Sequence, residues 1–253
     1  MENGTFFSDN YLCNEEKVTN LLSEEKAMKK RIFSLIVAMG MIISALSIES
    51  DLVPAKTAYA EKEVSSGITI DDEYLIPDGM GYFTYYVVVA TNNTGSDVAI
   101  SADFLAKDSG GTVLRRVNDY SDAVKNGQQF ILYGQFSQES IRKAASFEYN
   151  YSVAPTDKCA YSQVSVNAKR NGHIVELSAT NYSKYDIQGV GVRTIFLKNG
   201  KPIAFDTVNI ADHGTTFHGG STNYQVVGMN VSDYDDVVVT YTSVSNIPLP
   251  EDA

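Results

Sequence analysis

The chain has 253 residues, a formal net charge of −11, 16 tyrosines, no tryptophan and two cysteines. So acidic a composition disfavours nucleic-acid partners, whose phosphates need clustered lysine and arginine, and disfavours docking on an anionic membrane surface. Cys13 and Cys159 are too few for a disulfide framework or a cysteine-rich zinc site, and we predict no membrane contact beyond an export segment.

That export segment is predicted at residues 28–60. Lys29, Lys30 and Arg31 precede an apolar run, and Ala58 and Ala60 supply the small alternate residues that a signal peptidase reads. We predict cleavage after Ala60 and a product that is secreted or held at the cell surface. Residues 1–27 form a polar extension. Translation from Met28 is the favoured alternative, because signals place their basic residues near the amino terminus.

The first predicted domain, residues 61–156, consists of short strands separated by turns. Residues 82–91 are β-branched and aromatic, and apolar residues alternate from Val98 to Phe104, as in a strand with one buried face. Asparagine and glycine supply turn chemistry at 92–95 and 107–111. Further elements are predicted at Thr69–Ile70 or Tyr74–Leu75, Val113–Val117, Phe130–Tyr133, Phe147–Val153 and, as a short helical turn, Gln138–Ala145.

The second predicted domain, residues 157–246, repeats this order and adds an opening strand at 160–168; residues 247–253 form a loose tail. The two copies match at Ala90–Asn92 with Ala179–Asn181, Val117–Asn118 with Val208–Asn209, Gly127–Phe130 with Gly214–Phe217 and Ser152–Val153 with Ser243–Val244. Four matches in the same order predict a tandem repeat. Pro155 in the linker cannot donate to a shared ladder, which favours two separable folding units with Phe104 and Phe196 as equivalent core residues.

Many short strands with regular turns predict an all-β protein of two tandem immunoglobulin-like β-sandwich domains. The order of strand, Asn turn, alternating strand ending in Phe, and Gly-containing turn resembles the FxLYD-type immunoglobulin-like domains of exported bacterial proteins. The nearest matches are Phe104–Gly111 and Phe196–Gly200, where Leu105–Asp108 and Leu197–Asn199 replace the Tyr-Asp pair of the motif. The resemblance implies an interaction or spacer role and transfers no site residue.

The sequence offers few groups for catalysis or metal binding. His213 and His218 lie five residues apart, which would place them on opposite faces of a strand. The acidic stretches 71–73 and 233–236 lack the ligand order of a calcium loop, and no nucleophile elbow, zinc-protease or phosphate-loop motif is present. We predict no catalytic residue, no metal and no cofactor, and a protein that is not an enzyme.

Tyrosine provides the candidate binding surface, since exposed tyrosines form amphipathic contact surfaces for sugars and proteins. Tyr182, Tyr185, Tyr224 and Tyr234 fall near predicted turns of the second copy, and we predict a ligand face there. The expected partner is a protein or polysaccharide of the cell envelope. A carbohydrate-binding module is one alternative, and an unrecognised extracellular hydrolase or enzyme accessory domain is another.

Overall fold

A computed structural model describes residues 67–247 of the chain. The predicted export signal at 28–60, the extension at 1–27 and all of the predicted tail except Ile247 lie outside the described residues. Between 67 and 247, every regular element is a β-strand except one 3-10 turn at Tyr161–Gln163. No helix in this range is long and apolar enough to cross a membrane.

Six strands form the first repeat. They are β1 (Ile68–Pro77), β2 (Phe83–Asn92), β3 (Val98–Lys107), β4 (Val113–Val124), β5 (Gln129–Ser137) and β6 (Ser146–Pro155). They make two antiparallel sheets, with strand orders β1–β2–β5 and β4–β3–β6. The predicted helical turn at 138–145 folds as consecutive turns without helix, with the N–H of Ser140 bonded to the C=O of Ser137 at 3.0 Å.

The second repeat contains eight strands. They are β7 (Val164–Asn171), β8 (Ile174–Asn181), β9 (Ile187–Gln188), β10 (Val190–Lys198), β11 (Lys201–Ile210), β12 (Thr216–Phe217), β13 (Thr222–Val227) and β14 (Asp236–Thr242). The larger sheets have the orders β13–β8–β7 and β11–β10–β14, and the short strands β9 and β12 pair with each other. Because β1–β2–β5 and β7–β8–β13 correspond, as do β4–β3–β6 and β11–β10–β14, the predicted tandem all-β sandwich architecture is confirmed. The opening strand β7 is the counterpart of β1 and not an addition.

Each core buries one of the two predicted phenylalanines, but the prediction that they are equivalent is wrong. Counted from the pairs of Val98 with Pro155 and of Ile187 with Ser245, after the two Asn turns, Phe104 corresponds to Thr194 and Phe196 to Ala106.

Phe104 on β3 and Phe196 on β10 are both fully buried, as predicted, and each packs against aromatic neighbours. The ring of Tyr86 meets Phe104 edge-on at 5.6 Å, and the ring of Tyr234 meets Phe196 edge-on at 5.0 Å. Such edge-to-face contacts add to the burial of the rings themselves.

The sheet β1–β2–β5 is covered on both faces. Five consecutive residues of β2, Tyr86–Ala90, are buried, which is the pattern of a strand packed on two sides. Its second face packs on the sheet β11–β10–β14 of the second repeat through a separate apolar cluster: Ile76, Val87, Val89, Ile131, Ile195 and Phe205. The four sheets therefore stack in the order β4–β3–β6, β1–β2–β5, β11–β10–β14 and β7–β8–β13.

An ion pair joins the two repeats beside this cluster. The guanidinium of Arg193 on β10 holds the carboxylate of Asp119 on β4 at 2.7 and 2.8 Å, and both side chains are largely buried. Asp119 also accepts the N–H of Tyr133 at 3.0 Å, and Arg193 donates to the C=O of Ile131. Tyr133 and Ile131 lie on the edge strand β5, so the pair satisfies backbone groups that an open sheet edge would leave unpaired.

Three of the four sequence matches between the copies are not structurally equivalent. Val153 lies two residues before Pro155, which pairs with Val98, whereas Val244 lies one residue before Ser245, which pairs with Ile187. The amide of Asn92 donates to the C=O of Val124, whereas the amide of Asn181 donates to the C=O of Phe217, so Phe217 corresponds to Val124 and not to Phe130.

Val117 pairs with Phe104, whereas Val208 pairs with Val192, so Val117 and Val208 also differ in position. The shift arises because residues 108–112 connect β3 to β4, whereas only Asn199 and Gly200 connect β10 to β11.

Candidate ligand-binding face

The outer face of the sheet β13–β8–β7 forms one end of the stack. Residues 177, 179 and 181 of β8 point into the core, so the alternate residues face solvent. Strand pairing arranges these outward side chains in three rows across the sheet: Val226, Glu176 and Lys169; Tyr224, Ser178 and Asn167; and Thr222, Thr180 and Ser165. We call this surface the terminal face.

Tyr224 and Tyr182 are the two prominent aromatic residues of the terminal face. Tyr224 is 70% exposed and lies opposite Ser178. Tyr182 is 71% exposed, and its N–H donates to the C=O of Gln163 at 2.8 Å, which extends the pairing of β7 and β8 past Asn181. Tyr182 therefore continues the outward row of β8, two rows beyond Tyr224.

The other two tyrosines of the predicted ligand face lie elsewhere. Tyr234 is 3% exposed, its hydroxyl donates to the C=O of Ile174 at 3.2 Å, and Arg170 covers its ring at 4.3 Å. The expectation that Tyr234 presents its ring to a ligand is therefore wrong, because the ring completes the core beside Phe196. Tyr185 is half-buried in the turn after β8, under the ammonium group of Lys184 at 5.1 Å.

The terminal face corresponds to the buried face of the first repeat. By strand pairing, Tyr224 takes the place of Ile131 and Val226 takes the place of Tyr133. Ile131 and Tyr133 contact the second repeat, whereas Tyr224 and Val226 are open to solvent. Ser178 and Glu176 lie at the positions where Val89 and Val87 are buried in the first repeat. The terminal face is therefore a more polar counterpart of that contact surface.

Residues of this face were partly missed by the sequence reasoning. Ser165, Asn167 and Ser178 form no side-chain hydrogen bond within residues 67–247, and all three lie beside the tyrosines. The alternation of Val175, Leu177 and Ala179 could have identified the outward residues of β8, because it places the intervening residues on the outer surface.

Two ionisable groups, the exposed Glu73 and the largely buried Asp119, hold strands together. Glu73 on β1 accepts the hydroxyls of Tyr86 at 2.7 Å and Tyr149 at 3.0 Å, which ties β1 to β6. Burial, followed by these bonds to Glu73, raises the pKa of both tyrosines, so they remain neutral donors. Burial also raises the pKa of Asp119, whereas the guanidinium of Arg193 and the N–H of Tyr133 act in the opposite direction.

His218 and the acidic clusters are engaged locally. His218 Nδ1 lies 3.1 Å from Asp186, and the N–H of His218 donates to Asp212 at 2.7 Å. Asp71 accepts the hydroxyl of Thr91, and Asp233 pairs with Lys198 at 2.8 Å. No group of three or more His, Cys, Asp or Glu side chains within residues 67–247 is arranged to hold a metal ion.

A shallow groove of about 800 Å³ lies at the junction between the repeats. The linker Pro155–Lys158 and the segment Val244–Asn246 form most of its wall, and Asp122 and Gln188 also line it. Asp122, Asp157 and Lys158 are its charged residues, and all three are exposed. The groove brings together no nucleophile and base, so it supports no assignment of a reaction.

Comparison with known proteins gives no functional assignment. No family model and no curated protein matches the chain. Among solved structures, it is similar to a red sea bream transglutaminase at 10% identity and a TM-score of 0.26, over 70% of this chain and 29% of that one. It is also similar to a β-glucuronidase of glycoside hydrolase family 2 at 11% identity and a TM-score of 0.17, over 76% and 23%. The chain thus spans less than a third of either protein, and likenesses this low carry no argument.

Proposed function

We propose that the chain is an exported, non-catalytic binding protein of the bacterial cell envelope that contacts its partner through the terminal face. The observation that carries the proposal is the exposure of Tyr182 and Tyr224, at 71% and 70%, on a sheet face whose counterpart in the first repeat is a contact surface. Large aromatic side chains left in solvent at such a position mark interaction sites. The partner class is a protein or polysaccharide of the envelope.

Two further features support this proposal. The basic and apolar pattern of residues 28–60, ending at Ala58 and Ala60, is typical of an export signal. The carboxylates of Asp119 and Glu73 bond to neighbouring strands and hold the fold together, so their chemistry is structural. A stack of two sandwiches therefore displays a binding surface at one end.

The test is retention of the secreted protein on isolated cell envelopes. The Tyr182→Ser and Tyr224→Ser double variant should lose retention, because the proposed contact surface loses both rings. Tyr120→Ser is the matched control, because Tyr120 is 61% exposed on the outer face of the opposite terminal sheet. Equal retention of wild type and double variant would refute the terminal face as the contact surface.

A further inference from the structure

The dimensions of the terminal face limit what it can bind. Three strands about 4.8 Å apart and eight residues rising about 3.3 Å each give a surface of roughly 400 Å². A stable protein interface needs about 800 Å² on each partner. A second copy of this chain, or another globular protein, would thus bury too little of itself on this face for a lasting complex. A ligand that lies along the strands would use the whole surface.

The side chains of the face form a polar track between two aromatic ends. Tyr182 and Tyr224 differ by four residue positions along the sheet and by one strand across it, which separates them by roughly 14 Å. Thr180 and Thr222 lie between them and share a hydroxyl bond of 2.9 Å. Ser178 lies between Tyr224 and Asn167 across the sheet.

This pattern has the chemistry of a sugar platform. The C–H groups of a pyranose ring are apolar and pack on the flat ring of a tyrosine, whereas its hydroxyls need partners that both donate and accept. Ser178 and Asn167 offer a hydroxyl and an amide with both capacities. Neither forms a side-chain hydrogen bond within residues 67–247, so neither must give up a protein partner to bind a sugar hydroxyl.

Charge selects among polysaccharides. The chain has a net charge of −11, so it repels polymers that carry uronic acids or phosphates. This repulsion acts at distances shorter than the screening length of the salt. On the terminal face itself, Lys169 and Glu176 lie directly opposite each other and balance in charge. An uncharged chain avoids this repulsion.

We propose that the ligand of the terminal face is a linear, uncharged polysaccharide that runs along β8 from Tyr224 to Tyr182. One sugar ring stacks on Tyr224, with its hydroxyls bound by Ser178 and Asn167, and a later ring along the chain stacks on Tyr182. This inference rests on the proposed function, because it names the ligand class of the same face.

The experiment is a binding assay of the full chain on linear uncharged polysaccharides, namely cellulose, chitin, β-1,3-glucan and β-mannan, with polygalacturonate as the anionic comparison. At least one uncharged polymer should bind, and polygalacturonate should not. Tyr224→Ala should weaken binding by about tenfold, as expected for the loss of one stacking contact. Tyr224→Phe should retain binding, since the stacking surface remains.

Two controls separate folding from binding and this inference from the proposed function. Tyr120→Ala removes an exposed tyrosine from the opposite terminal sheet and should leave binding unchanged. Failure of all four uncharged polymers, equal binding of polygalacturonate, or indifference to Tyr224→Ala would overturn the polysaccharide assignment. If envelope retention still depended on Tyr182 and Tyr224 in that event, the partner would be a protein that contacts more than the terminal face, and the proposed function would stand.

Discussion

At the scale of single residues, Asn92 and Asn181 show how one buried amide organises a turn. The amide nitrogen of Asn92 donates to Ser96 and Val124 carbonyls, both at 3.0 Å, and its oxygen accepts the N–H and the hydroxyl of Thr94. Asn181 has the same set of bonds with its own turn. Each amide thus bonds the turn that follows it, and because both amides are fully buried, water cannot replace a lost partner.

Asn92→Ala should therefore lower the free energy of unfolding by about 1–3 kcal/mol, because at least one buried backbone group loses its partner. Thermal denaturation would measure the loss. Asn93→Ala is the matched control, since Asn93 is exposed and its side chain bonds the hydroxyl of Thr69, while its backbone bond to Gly67 is kept. A melting temperature no lower for Asn92→Ala than for Asn93→Ala would contradict the role of the buried amide.

Cys159 is expected to be an unreactive thiol. It is partly buried beside the bridge to Val244, and burial, the largest cause, raises its pKa to about 11. At pH 8 a thiol of ordinary pKa is partly ionised, whereas this one is almost entirely protonated, and only the thiolate reacts.

Alkylation of Cys159 by iodoacetamide at pH 8 should accordingly be roughly 100-fold slower in the folded chain than in urea. The folded rate should rise about tenfold per pH unit from pH 8 to 10, because the thiolate fraction does so below the pKa. The Cys13→Ser variant gives a chain with one thiol. Equal rates in the folded and urea-treated chains would show that Cys159 is open to reagent and normally ionised.

At the scale of strands, the sequence predicted which side chains are buried wherever apolar and polar residues alternate. The strict alternation of Val98, Ile100 and Ala102 correctly placed Phe104 in the core. The position of Tyr234 could not be read in this way, because it lies in the irregular segment 233–235 among acidic residues. Only its tertiary contacts with Phe196 and Arg170 reveal its burial.

The alignment of the two copies failed where the loops differ in length. Asn199 and Gly200 both have positive φ, at 51° and 72°, as a two-residue turn between twisted strands requires. The connection at 108–112 is longer, so residues that match in sequence beyond it need not match in pairing. Identity along the sequence therefore located the repeat but not its register.

The pair of Arg193 and Asp119 joins strands of different repeats, and its loss should be costly. Arg193→Met would leave the buried carboxylate of Asp119 without its cation, and breaking such a pair costs about 3–5 kcal/mol. Urea denaturation of Arg193→Met, Asp119→Asn and the double variant would give the coupling energy.

The pair of Arg116 and Asp103 is the comparison within the same fold, because Arg116 lies on the surface. Arg116→Met should have a much smaller effect, since water screens exposed pairs. If Arg193→Met and Arg116→Met destabilised the protein equally, the pair of Arg193 and Asp119 would not be the contact that joins the repeats.

At the scale of the molecule, the polarity of matching positions explains why the stack has two repeats. Phe205, Ile195 and Val238 form one cross-strand row that packs against the first repeat. The equivalent row on β4–β3–β6 is Arg116, Leu105 and Glu148, in which two of the three side chains are charged. The polar row ends the stack on that side, as capping units do in other repeat proteins.

The apolar cluster between the sheets β1–β2–β5 and β11–β10–β14 makes the stability of each repeat depend on the other. The linker at Pro155 suggested separable units, but Ile195 and Phe205 are buried against residues of the first repeat. A repeat of this size is stable by only a few kcal/mol, so loss of the shared cluster would remove much of what each repeat needs. We therefore expect Phe104→Ala to destabilise both repeats together.

Ile195→Asp with Phe205→Asn tests this coupling by placing in the shared cluster the residue types that Asp103 and Asn118 present on the outer face of β4–β3–β6. The wild type should unfold in one urea transition, because the shared cluster breaks only when both repeats open. The double variant should unfold in two, because polar residues at 195 and 205 no longer pack on the first repeat. Hydrogen exchange read by peptide mass would follow the repeats separately. Leu105→Asp, on the terminal outer surface, should leave a single transition. Two transitions in the wild type would show that the repeats are independent despite their contact.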